Sequence, residues 1–216
     1  MRIRYNAPVI LTYALICTGI MVIWQVLGGE GGAGIDTLGE RFVYDLFTVP
    51  GNSMGFRLFS WDFYKLFSHA LGHANWMHLI ANFTFILLIG PILEEKYGSG
   101  KLLFMMIVTA GVAGLVNVLF FSNPSLGASG IVFMFILLIS ITNVRSGEIP
   151  LTFIAVVLIY LTSEVLKMFA ADNINEAAHL LGGLCGSIFG FTLLKKKEEK
   201  EGRGTGTGTT DNPLGL

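Results

Sequence analysis

A serine set between glycines and four histidines are the side chains of this 216-residue chain best suited to chemistry. The serine lies in Gly127-Ala128-Ser129-Gly130, where a short loop, 122–126, enters an apolar run. Glycine on both sides lets other backbone approach the hydroxyl closely. The soluble hydrolase elbow Gly-x-Ser-x-Gly does not fit, because position 131 is isoleucine and no strand precedes the turn. Taken alone, Gly-x-Ser-Gly is more often a plain helix contact in a membrane. The base candidate is His179, in Ala178-His179-Leu180-Leu181-Gly182-Gly183-Leu184-Cys185-Gly186. On a helix, Gly182, Gly183 and Gly186 share its face, and a glycine face lets a second helix pack very close. Otherwise a lone histidine near the end of a span is an interfacial residue. Neutral imidazole, with a pKa of ~6.5, can take a proton from a serine hydroxyl near neutral pH.

His78 and Asn82 are spaced i, i+4 and point the same way on a helix. They read as hydrogen-bond donors aimed at a developing oxyanion. His69 and His73 precede them and invite a metal reading. No Glu stands beside the first histidine, so the zinc-protease pattern is missing. No closed or catalytic zinc set can be assembled. The expectation is no metal and no cofactor.

These residues need elements to hold them. The chain is 53% hydrophobic and only 13% charged, about half the charge of a soluble domain, which is roughly 25%. The apolar residues form long blocks with charges between them, as in a polytopic membrane protein. The fold class expected is therefore all-α, with six transmembrane helices at 8–27, 77–93, 102–121, 127–142, 151–166 and 177–194. The rival reading of the first block is a signal peptide after Arg2 and Arg4. The block is long for that, and Trp24-Gln25-Val26-Leu27 has no small-residue cleavage site. Of the Lys and Arg residues, ten fall with the two termini and four on the other side. That asymmetry puts both termini in the cytoplasm.

The outer segment 28–75 begins Gly-rich and turns aromatic, which suits a layer at the membrane interface or a small folded subdomain. The tail 198–216 is polar and rich in Gly and Thr, so it is expected to be a disordered cytoplasmic tail to a 1–197 membrane domain. A net charge of −1 argues against nucleic acid as a partner. Cys17 and Cys185 both lie in apolar blocks and offer no disulfide framework. Polar residues gather toward the outer ends of the spans, apart from Thr84 and Asn117, which disfavours a channel or transporter path.

His78-x-x-x-Asn82, Gly127-x-Ser129-Gly130 and Ala178-His179-x-x-Gly182-x-x-x-Gly186 fall in that order on the second, fourth and sixth spans. In this the chain resembles the rhomboid family of intramembrane proteases, from about Ser68 to Gly190. Glu95-Lys96-Tyr97-Gly98-Ser99-Gly100-Lys101 adds to the likeness. The resemblance implies a minimal six-span, bacterial-type integral membrane protease with a Ser129–His179 dyad and no third acid. His78, Asn82, Gly127 and Ala128 would form the oxyanion and substrate-binding set, and the site would open to the outer side. Substrates would be single-span membrane proteins with small residues and helix-breakers near the cut. The oligomeric state is left open. Tyr64-Lys65 stands where many relatives have Trp-Arg, and Phe133 where some have Tyr. Asp172 and Glu176 read as interfacial residues or a cap. A related protein that binds transmembrane helices without cutting them would lack the serine or the histidine, and both are present.

Overall fold

The structure is a computed structural model that describes residues 5–30, 37–55 and 61–141, with scattered helical positions between 151 and 192. Every regular element among the described residues is helical. They are α1 (Pro8–Val26), α2 (Leu38–Phe47), α3 (Lys65–Ser68), α4 (Trp76–Tyr97), α5 (Ser99–Phe120) and α6 (Ser129–Ile141), with 3₁₀ turns at Asn52–Met54 and Trp61–Tyr64. Among them α1, α4 and α5 are long and apolar enough to cross a membrane, and α6 is a shorter apolar helix. The fifth and sixth expected spans lie mostly outside the described residues, as does the tail.

One core joins the four long helices. Ile10 and Met21 of α1, Ile86 and Leu93 of α4, Leu102 of α5, and Phe135 and Leu138 of α6 are all buried. Leu15, Leu88, Phe104 and Leu119 point outward, the arrangement of a bundle whose solvent is hydrocarbon.

Helix α4 runs past the expected end at 93, through Glu94, Glu95 and Lys96 to Tyr97. The reason is the position of Glu94. Its carboxylate is buried and accepts hydrogen bonds from the Val9 and Ile10 N–H groups at 3.0 and 3.1 Å and from Ser99 Oγ at 2.7 Å. The first N–H groups of a helix have no partner of their own, and the helix dipole favours negative charge there. Pro8 at the first turn lacks an N–H to satisfy. Glu94 thus caps α1 from another helix. Gly98 then ends α4 at φ +82°, a region open to glycine, and α5 begins at the next residue.

The segment between α1 and α4 is a folded layer against the bundle. Thr37 caps α2 by accepting from Glu40 N–H at 3.2 Å. α3 lies across α5 so closely that a Cβ on Gly114 would stand 2.6 Å from the Leu66 carbonyl oxygen. Tyr13 of α1 donates to the Ala70 carbonyl, and Trp76 Nε1 donates to Gln25 Oε1 at 3.0 Å.

Removing the Glu94 carboxylate strands one buried N–H group, that of Ile10, and one part-buried, that of Val9. Glu94→Ala is expected to cost about 2–3 kcal/mol, with Ser99→Ala costing less. Unfolding of both variants in detergent, followed by circular dichroism, checks the order and the size.

Candidate active site

The loop before α6 is stitched to the outer segment along its backbone. Asn52 N–H donates to Phe121 O at 2.7 Å, and Val49 and Ser125 exchange both N–H···O bonds at 2.9 Å. Gly127 N–H donates to His69 O at 2.8 Å. The buried Asn117 amide of α5 reaches the Pro50 and Asn123 carbonyls at 3.1 and 3.2 Å. The polar Asn117 that stood alone in the sequence therefore ties loop to loop. This framework delivers Ser129 as the first residue of α6, half-buried, with Ala128 fully buried behind it. The helix begins two residues later than the expected 127.

Gly127 has φ +126°, and His78 covers it. A Cβ at Gly127 would meet His78 Cε1 at 2.7 Å and Nε2 at 2.8 Å. The glycine is required both by the backbone angle and by the imidazole above it. His78 is placed by its helix start, where the Asn75 side chain accepts from His78 N–H at 2.8 Å. Ala74 N–H points to His78 Nδ1 at 3.5 Å, a long contact that favours the tautomer with hydrogen on Nε2, the atom over Gly127. Asn82 is buried, and its amide donates to the His78 carbonyl at 3.0 Å, back onto its own helix. His78 and the serine loop are thus brought together, while Asn82 sits one turn behind.

Beside Ser129 is a cavity of about 10 Å³ lined in part by His69, Thr109, Ser125 and Gly130. That is about the room one water needs. His69 Nε2 faces the Ala110 carbonyl at 3.1 Å, so it carries the hydrogen. Among the described residues His69 Nδ1 and Thr109 Oγ1 are buried without a hydrogen bond of good geometry. Sequence reasoning weighed His69 only as a metal ligand and passed over Thr109. A threonine and small residues at one helical spacing, Thr109, Ala110 and Ala113, were the available signal.

His179, Gly183 and Gly186 lie outside the described residues. Gly182, three positions after His179, is described. It is buried with its backbone against the Gly130 carbonyl, where a Cβ would collide. The chain just after His179 therefore meets the chain just after Ser129.

The Rhomboid domain family model matches residues 60–196, more than half of the chain. The chain belongs to the rhomboid family. YdcA of Bacillus subtilis, whose name places it provisionally among rhomboid proteases, is 30% identical over 156 residues, covering 70% of this chain and 76% of its own. Rhomboid protease GlpG of Haemophilus influenzae is 25% identical over 134 residues, 60% of this chain and 69% of that protein. GlpG of Pectobacterium atrosepticum is 23% identical over 188 residues, or 85% of this chain and 62% of that protein. Against this last relative the chain spans less than two thirds of the length.

The other two described histidines of this rhomboid, His69 and His73, are both buried. His69 ends α3 and turns to α5, while His73 lies in the irregular stretch before α4. The His73 ring is fully buried, packed edge-on against His78 with centroids 5.1 Å apart. Among the described residues no three His, Cys, Asp or Glu side chains gather as metal ligands would. Burial pushes the His73 imidazole down to about 3, with the neighbouring His78 adding to the effect. Burial lowers His69 as well, against the opposing pull of the Ala110 carbonyl.

The sign of the linkage follows. Below pH ~6.5 the unfolded chain binds protons at both rings, and the folded chain resists until the pH approaches the lowered values. Stability is therefore full above about pH 6.5 and falls on acidification, by up to ~1.4 kcal/mol per pH unit for each histidine. Unfolding midpoints at pH 7, 5.5 and 4.5 should drop in that order, and His73→Phe should flatten the slope.

Proposed function

We propose that this rhomboid is an intramembrane serine endopeptidase that cuts single-span membrane proteins with a Ser129–His179 dyad. The observation that carries this reading is the convergence at the start of α6. Ser129 opens the helix, His78 lies over Gly127, and Gly182 packs on Gly130. Gly182 follows His179 by three positions in the sequence, which is why its contact with Gly130 supports the pairing of the two motifs. The names of the relatives and the three sequence motifs support the same assignment.

In this mechanism Ser129 Oγ attacks the scissile carbonyl carbon while His179 takes its proton. The carbonyl electrons move to oxygen, and the oxyanion lies near the Ser129 N–H, His78 Nε2–H and the Asn82 amide. Gly127 and Ala128 form the wall of that cradle. Donors fixed in advance need no reorganisation as the charge develops. For Asn82 to contribute, its amide must offer a hydrogen other than the one held by the His78 carbonyl. Collapse of the intermediate breaks the C–N bond, and His179 gives its proton to the leaving amine. His179, now neutral, takes a proton from a water in the cavity between Ser129, His69 and Thr109 as that water's oxygen attacks the acyl carbon. The ester C–O bond to Ser129 then breaks, and His179 returns the proton to Ser129 Oγ, releasing the new carboxyl end. The six-span arrangement of residues 1–197, with cytoplasmic termini, a site opening outward and a polar tail at 198–216, completes the proposal. Substrates meet the enzyme in the bilayer, without metal or cofactor.

Ser129→Ala and His179→Ala should each abolish cleavage of a panel of single-span substrates in proteoliposomes. A fluorophosphonate should label Ser129, and labelling should be lost in His179→Ala. Labelling elsewhere, or cleavage by Ser129→Ala, overturns the mechanism. His78→Ala and Asn82→Ala should lower maximal rate more than binding, by about 10²-fold for a fully engaged donor. Thr109→Val should leave probe labelling intact and slow turnover of the acyl-enzyme. Gly182→Val should reduce both stability and activity, because its side chain would separate the helices that carry the dyad. Activity should survive strong chelators, and rescue of a chelated enzyme by zinc would count against the proposal.

A further inference from the structure

His73 takes no part in the mechanism above, yet it is the most completely buried histidine of the described residues. Among the described residues neither ring nitrogen makes a hydrogen bond of good geometry. Its surroundings show what the position does. One neighbour is Phe83 of α4, at 5.8 Å between centroids. The other is His78, at 5.1 Å and an interplanar angle of 69°. Aromatic rings prefer such edge-to-face contacts. Phe83 is itself fixed in the core against Tyr13, with centroids 5.4 Å apart.

His78 therefore has two sides held by protein. The Ala74 N–H meets its Nδ1 from the loop, and the His73 ring presses on it from the core. Gly127 closes the side toward the serine loop. Tyr13, Phe83, His73 and His78 make a line of rings from α1 to the serine loop.

We propose that His73 is a positioning residue that holds the His78 ring at the angle needed to present Nε2–H to the oxyanion. It acts through His78 and touches no reacting atom. The inference rests on the serine-protease reading of the site. A void in place of the His73 ring frees the His78 ring to rotate, and a displacement of about 1 Å at a reacting group can cost 10²-fold in rate.

The test uses the full chain in proteoliposomes with a single-span substrate. His73→Ala should lower kcat by about 10- to 100-fold with KM changed less than about threefold. His73→Phe restores a ring without nitrogens and should hold kcat within about threefold of wild type. In a His78→Ala background, His73→Ala should add less than about threefold, because the two act as one unit. Nitrogen-15 spectra of histidine-labelled protein in detergent provide a readout independent of activity. The His78 signals should show one tautomer in wild type and His73→Phe, and an averaged mixture in His73→Ala. An unchanged kcat in His73→Ala, an equal loss in both backgrounds, or unaltered His78 signals would overturn the inference. A His73→Phe variant as slow as His73→Ala would also overturn it, by showing that the nitrogens act and the ring shape does not. Wild-type protein that fluorophosphonate labels at a site other than Ser129 would instead remove the serine mechanism beneath it.

Discussion

A loop that ends inside a membrane bundle must find its hydrogen-bond partners within the protein, because hydrocarbon supplies none. The stretch 121–128 obeys this constraint, and the candidate site depends on it. Phe121, Asn123, Ser125 and Gly127 are each bonded to the outer segment or to α5. The outer segment is thus a partner strap for the serine loop as well as a cover. Its own turns are placed by α3 lying across Gly114 and by the Tyr13–Ala70 bond. Ser129 stands at the end of this chain of dependences, as the first residue of α6.

The same scarcity of polar partners explains the side chains. Asn117, Glu94 and Tyr13 are buried polar groups, and each is engaged with backbone of another element. They act as joints between segments that would otherwise slide on apolar surfaces. Among the described residues His69, His73 and Thr109 depart from that pattern by leaving buried atoms without a hydrogen bond of good geometry, and all three lie beside the serine loop or the ring that covers it. Unsatisfied polarity concentrated at one place is what a site prepared for a substrate, a water or a transient charge should show.

Much of this was legible in the sequence because it is local. Hydrophobic blocks gave α1, α4 and α5 to within a few residues at most ends, and the i, i+4 spacing put His78 and Asn82 on one helix. What was not legible depends on pairs far apart in the chain. Glu94 looks like the charge that ends a span, and only its contact with Val9 and Ile10 makes it a cap. Gly127 looks like a spacer until His78 is found above it. His73 resembles half of a metal pair by spacing, whereas the chain between α3 and α4 sets its ring against Phe83 and His78. Periodicity reports which face of a helix is apolar and carries no information on which helix meets it.

The cap on α1 also has a history in time. Its acceptor lies 85 residues downstream of Val9, so the first helix leaves the ribosome with its N-terminal amides unmet. At about 5–20 residues per second, roughly 4 to 17 s pass before Glu94 exists. During that interval α1 must rest in the membrane or its insertion machinery with water or lipid headgroups around its first turn. The joining of α1 to α4 therefore waits on the synthesis of the end of α4.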